Sequence, residues 1–257
     1  MSRMYPFADL MPPQLVLLSV LVGFGAGIVK GMVGFAMPMI MISAMSLFLP
    51  PELALAALIA PTLVTNGMQA LRQGGAAALS TVRRFRVYLI VGGLMLALSA
   101  QLVRVLSTEA LFLLIGAPVS AFAILQLSGW KPKVPEKTNV IEALIGGFSG
   151  FVGGVSGVWG PPTVAYLTAI DTPKGDSIRV QGVIYGLGAL ALSGAHLQSG
   201  VLNAATLPFS LFMIVPAVAG MMLGGLAHDR IDQQAFRRVT LAVLLVAGLN
   251  LVRRAVF

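Results

Sequence analysis

Residues 23–38 read GFGAGIVKGMVGFAMP, and residues 146–161 read GGFSGFVGGVSGVWGP. Both stretches carry glycine at their first, fifth, ninth and twelfth positions and close on proline. An offset of 123 residues takes Gly23, Gly27, Gly31, Gly34 and Pro38 onto Gly146, Gly150, Gly154, Gly157 and Pro161, and Pro50 onto Pro173. Four residues is close to one helical turn, so this spacing lines glycine along one helix face, where a neighbouring helix can come close. Proline has no amide N–H and is tolerated only in the first turn of a helix. Pro38 and either Pro161 or Pro162 therefore mark helix starts within apolar sequence.

Working outward, the whole chain is apolar. It has 257 residues, 57% of them hydrophobic and only 10% charged, with a mean hydropathy of +0.91, where a soluble domain carries about 25% charge. Ten apolar segments follow one another, roughly 14–29, 32–49, 53–71, 87–106, 109–127, 139–158, 161–170, 177–195, 205–226 and 233–252. Several fall short of the roughly 20 residues that a crossing helix needs. The reading is an all-α polytopic membrane protein with discontinuous helices. The net charge of +8 resides in short loops, as membrane insertion predicts, and no nucleic-acid partner is expected. No cysteine is present, which excludes disulfides, thiolate metal sites and a cysteine nucleophile. Asp9 with Pro12 and Pro13 ahead of the first apolar run favours a retained segment over a cleaved leader.

The segments fall into two repeats of four to five, 1–127 and 139–257, joined by a polar linker at 128–138. Arg72, Arg83, Arg84 and Arg86, the linker residues Lys131, Lys133 and Lys137, and Arg230, Arg237 and Arg238 occupy three connections. If all ten segments cross, or if the short pairs are re-entrant, these connections share one side, cytoplasmic by the positive-inside rule. The repeats are then inverted and both termini face out. If each short pair forms one broken crossing, eight spans leave both termini inside. The inverted arrangement is favoured, although Arg3, Arg253 and Arg254 count against it.

Unwound backbone at membrane depth survives only where it is buried or lines a cavity, and discontinuous helices in matching positions of two repeats point to a transporter's binding site. Helix starts there offer N–H groups to an anion. The candidate substrate-binding residues are Lys30, Gly34, Pro38, Asn66, Gln69, Gly157, Gly160, Pro161, Thr163 and Arg179. Lys30 is either a cation for the substrate or a lysine reaching to the interface from a helix end. Arg179 is either a fork-shaped oxyanion donor or an ion-paired arginine, with Asp176 as its partner. Asn66 and Gln69 share a helical face with Thr62 and Thr65 nearby, so they either line the cavity or bond between helices. Glu142 and Asp171 are the other acids near segment ends suited to carrying protons. His196 and His228 read as loop residues. Nucleotide, hydrolase, zinc-protease and dinucleotide signatures are absent, so neither an enzyme nor a cofactor is expected.

The stretches Ala26–Pro38, Leu47–Pro51 and Ala60–Gln69, with Gly150–Pro162 and Arg179 ahead of Gly182, resemble the TauE/SafE sulfite exporter family. Ala36 stands where many relatives of that family carry another glycine. The resemblance implies a multi-pass secondary transporter of the bacterial or archaeal cytoplasmic membrane. It implies a small sulfur-containing anion as substrate: sulfite, a sulfonate or thiosulfate. A passive anion channel and a non-transporting scaffold or subunit are the competing classes. Beyond the lipid bilayer and the anion, coupling to H⁺ or Na⁺, the direction of transport and the oligomeric state are left open.

Single cysteines at Ser80 and Glu136 will resist impermeant thiol reagents applied to intact cells, and one at Ser2 will react. Protection of the Ser2 position would instead support the eight-span arrangement.

Overall fold

A computed structural model of the chain describes residues 10–129, 138–170, 172, 174–227 and 233–257, all of its regular structure helical. Twelve α-helices follow in order: α1 (Pro13–Val33), α2 (Met37–Met45), α3 (Pro51–Leu71), α4 (Gly75–Arg84), α5 (Arg86–Ala100), α6 (Thr108–Leu127), α7 (Asn139–Ser156), α8 (Gly160–Ala169), α9 (Lys174–Ser199), α10 (Leu207–Phe212), α11 (Ile214–Ala227) and α12 (Gln233–Val256). Arg3, Asp9, Lys131, Lys133, Lys137, Asp171, Pro173, His228 and Arg230 lie outside the described residues.

Seven stretches among the described residues are long and apolar enough to cross a membrane: Pro13–Met32, Pro51–Leu71, Arg86–Arg104, Thr108–Leu127, Asn139–Ser156, Asp176–Ser199 and Leu207–Leu226. At 24 residues, α12 has the length as well. The chain is therefore a multi-pass membrane protein. Its outward faces carry exposed Leu21, Ile90, Leu94, Leu98, Leu144, Phe148 and Leu226, a belt suited to acyl chains rather than water. By contrast α2, with 9 residues, is about 14 Å long and cannot cross alone. The same holds for α8, with 10 residues. Every residue of α3 from Ala54 to Thr62 is buried, which puts that helix at the centre of the bundle.

The sequence reading requires two adjustments. Lys30 and Gly31 do not separate the first two segments, because α1 continues through them to Val33 and the break falls at residues 34–36. The reason is local: Gly34 takes the left-handed conformation (φ 84°) and its N–H closes the helix on the Lys30 carbonyl at 2.8 Å. The connection after α3 is likewise not plain loop, since α4 carries Arg83 and Arg84 in its last turn.

The glycine rows act as the spacing predicts. A Cβ on Gly27 or Gly31 of α1 would run into the backbone of Ala217 or Met221 on α11, and one on Gly150 of α7 into the carbonyl of Gly92 on α5. Both helix pairs run parallel, with backbones in direct contact. On the central pair, Gly182 of α9 meets Gln69 and Ala70 of α3 while Gly186 meets Asn66 and Gly67, so these two helices are antiparallel. On α6 and α12, Gly116 faces Leu251 and Gly248 faces Ser120, again antiparallel. The 123-residue offset takes the starts of α2 and α3, Met37 and Pro51, onto those of α8 and α9, Gly160 and Lys174. That correspondence, with these directions, is consistent with an inverted duplication.

Gly150→Ala will lower stability by about 1–3 kcal/mol, the usual cost of overfilling a tight contact. Gly93→Ala, at the next residue after Gly92 but with nothing within 4 Å of its Cβ position, will leave the melting temperature unchanged or raise it. Equal losses at both positions would mean that the interhelical seam does not set the effect, since the higher helix propensity of alanine favours both substitutions.

Candidate functional site

The two breaks face each other across one small cavity. Its wall is formed by Lys30 of α1, by Phe35, Ala36, Pro38 and Met39 at the first break, by Asn66 of α3, by Gly157, Val158, Trp159 and Gly160 at the second break, and by Tyr185 of α9. The cavity holds about 20 Å³, room for roughly one water. An oxyanion of four or more heavy atoms needs more, so this conformation is a closed one.

Each break is built in the same way. α1 ends on Gly34 (φ 84°) and α7 on Gly157 (φ 71°), both left-handed, and the Gly157 N–H reaches the Gly153 carbonyl at 2.7 Å. Three residues later the chain re-enters a helix, with Pro38 in the first turn of α2 and Pro161 in that of α8. First-turn N–H groups lack intrahelical acceptors, and proline removes one that would otherwise have to be satisfied. Ala36 is also left-handed, at φ 77°, without being glycine. The backbone geometry that the missing glycine of the resemblance would ease is retained here under strain.

Lys30 is 1% exposed, and its Nζ donates to Oδ1 of Asn66, itself 1% exposed. No carboxylate among the described residues pairs with the ammonium. The Nδ2 of Asn66 is buried without a hydrogen-bond partner. A buried, unpartnered amide costs about 1–3 kcal/mol, and here it belongs to a residue of the cavity wall. Gln69, one turn along α3, donates from Nε2 to the Gly34 carbonyl at 2.8 Å and so fixes the first break from behind.

Lys30, Pro38, Asn66, Gly157 and Gly160 thus meet at the cavity, while Gly34 and Gln69 support it. Pro161 opens α8, and its side chain lies outside the described set. Thr163 does not face the cavity. Its Oγ1 donates to the Trp159 carbonyl at 2.8 Å and lies 2.6 Å from the Tyr88 hydroxyl, while Ser149 Oγ donates to the same carbonyl at 2.8 Å. This hydroxyl cluster holds the second break in place. Arg179 lies apart from the cavity. Its Nη2 is 3.0 Å from Asp176 Oδ1, its Nη1 donates to Gln73 Oε1 at 2.7 Å, and its Nε approaches Thr81. Of its two readings, the ion-paired arginine is the one the structure contains. His196 is no loop residue: it is fully buried on α9, bridging the Gly154 carbonyl at 2.9 Å and Ser199 at 3.0 Å.

Sequence reasoning missed Trp159 and Tyr185. The Tyr185 hydroxyl donates to the Gly160 carbonyl at 3.3 Å, and its ring meets the indole of Trp159 edge-on at 6.4 Å. Trp159 also lines a second, lateral crevice of about 220 Å³ between α5, α7 and α9, so its indole is the partition between the two spaces. The offset of 123 residues offered a signal for Trp159. It pairs Lys30 with Gly153 and Ala36 with Trp159. A Cβ on Gly153 would lie 2.9 Å from the indole, and one on Gly188 3.1 Å from it. One half places a lysine beside an alanine; the other fills equivalent space with tryptophan against glycine. No such pattern marks Tyr185.

Among known proteins, the family model described as Sulfite exporter TauE/SafE matches residues 19–251. No curated protein and no solved structure matches.

A non-glycine residue held left-handed costs about 1–2 kcal/mol, partly offset by the roughly 0.5–1 kcal/mol of extra chain entropy that glycine loses on folding. Ala36→Gly will therefore raise stability by about 0.5–1 kcal/mol in a thermal or denaturant melt. A drop would show that packing of the Ala36 methyl outweighs its backbone strain.

Proposed function

The chain belongs to the sulfite exporter TauE/SafE family, whose match spans nearly its whole length, and on that premise we propose that it is a secondary transporter carrying a small sulfur-containing oxyanion across a bacterial or archaeal cytoplasmic membrane. Members of the family are membrane transporters rather than enzymes. The observation that carries the reading is the pairing of buried Lys30 with Asn66 at the meeting point of two helix breaks.

In this reading the Lys30 ammonium supplies charge, and Asn66 orients it through Oδ1 while offering Nδ2 to an anion oxygen. First-turn N–H groups of α2 and α8 supply directional donors that need no side chain. Removal of water from so small a space strengthens each contact. So small a cavity between the two breaks suits alternating access better than a passive pore. The opposed directions of α3 and α9, and of α6 and α12, are the inverted arrangement in which one helix bundle can rock against another around a fixed site.

Proteoliposomes loaded with sulfite will take up labelled sulfite by counterflow. Lys30→Met will weaken anion binding by well over tenfold, since removing one partner of a buried charged contact costs about 2–5 kcal/mol. Arg83→Met, at an exposed position, and Arg179→Met will each change affinity less than about threefold, the scale of an exposed ion pair. Downhill flux without counterflow would sink the carrier reading in favour of a channel. A Lys30→Met protein that folds and binds like the parent would remove the cation from the site.

A further inference from the structure

The cavity wall holds one side chain able to carry a positive charge, that of Lys30, and is otherwise neutral. The ammonium of Lys30 is hydrogen-bonded to a neutral amide, and no carboxylate among the described residues compensates it. The position that the 123-residue offset pairs with Lys30 is Gly153, so the second half contributes no matching cation, and Arg179 is committed to Asp176 and Gln73. Helix ends do not add a second charge. At each break the C-terminus of one helix and the N-terminus of the next lie three residues apart, α1 with α2 and α7 with α8. Their opposite partial charges, each about half an elementary charge, offset one another there. What the breaks keep is direction: N–H groups that donate to an oxygen without adding net charge.

The remaining wall is apolar and aromatic: Phe35, Met39, Val158 and Trp159, with the ring of Tyr185. Among the described side chains of this wall, the Nδ2 of Asn66, beside Lys30, is a buried donor without a partner. The side chains of the wall thus offer one amine, one amide and one phenol, with carbon elsewhere. A group with a second negative charge would leave that charge uncompensated in a dry space, and such burial is strongly unfavourable.

We infer that this site selects a singly charged anion with a compact apolar substituent, of the alkanesulfonate or hydrogen sulfite type, and rejects divalent anions such as sulfate and thiosulfate. The inference rests on the transporter reading above and narrows its substrate to one charge state. Because the closed cavity is smaller than any of these anions, selection is exerted as the walls close around the bound ion.

The test is a set of binding measurements on the purified full-length protein in nanodiscs, with methanesulfonate as a fixed monoanion, sulfate and thiosulfate as fixed dianions, and sulfite as reference. Methanesulfonate should bind at least tenfold more tightly than either dianion at constant ionic strength. Lys30→Arg should keep that order, and Lys30→Met should weaken methanesulfonate by more than tenfold. Ala189→Lys places a second cation at the position that the offset pairs with Asn66. If that variant folds, it should narrow the preference by raising dianion affinity. Sulfate or thiosulfate binding as tightly as methanesulfonate to the parent protein overturns the charge selection while leaving anion transport intact. Binding of none of the four, sulfite included, overturns the transporter reading and the selection together.

Discussion

In hydrocarbon, a peptide group without a hydrogen-bond partner costs several kcal/mol. A membrane helix can therefore stop midway only where protein or cavity surrounds the stop. This chain stops twice, at residues 34–36 and 157–159, and the rest of the architecture answers the demand so created. Gly34 and Gly157 close the preceding helices on carbonyls of their own last turns. Gln69 takes up the Gly34 carbonyl, and Ser149 with Thr163 takes up that of Trp159. α3 and α9 bring Asn66 and Tyr185 to the space between the breaks, and exposed apolar side chains on α1, α5, α6, α7, α9, α11 and α12 face outward. The donors that helix starts cannot satisfy internally are thereby concentrated in one enclosed place.

That place is built twice but furnished once. Lys30 with Ala36 in the first half corresponds by offset to Gly153 with Trp159 in the second, and Asn66 corresponds to Ala189. The backbone follows the offset closely while the side chains depart from it at the cavity wall. A cation on both sides would repel its mate at short range in a dry space. The second half contributes bulk and an aromatic partition instead.

Much of this was legible in the sequence because membranes allow few solutions. The all-helical class, the tight glycine rows and the helix starts at Pro38 and near Pro161 each follow from a single physical rule. So does the shared face of Asn66 and Gln69. The illegible parts depend on three-dimensional direction. Lys30 looked like a boundary because charge normally ends an apolar run, yet it lies inside α1 with Asn66 as its partner. Arg179 and Thr163 fall at the right depth in the sequence, but one turns toward Asp176 and the other toward Tyr88. Tyr185 reaches the cavity from α9 with no spacing signal at all. His196 looked like a loop residue because α9 continues for several polar positions past its apolar run, and burial against α7 was invisible until the two helices were packed.

The glycine seams also bear on what counts as a working part. The tight parallel contacts join α1 to α11 and α7 to α5, so each couples a helix from before residues 128–138 to one from after them. Neither half of the chain closes its own seam. A fragment ending at residue 127 would present two glycine-lined grooves with nothing to fill them, and so would its complement. Each half supplies what fills the other's grooves, as the two chains of an intertwined dimer do. In mechanical terms the rigid pieces are these paired helices, each drawn from both halves of the chain.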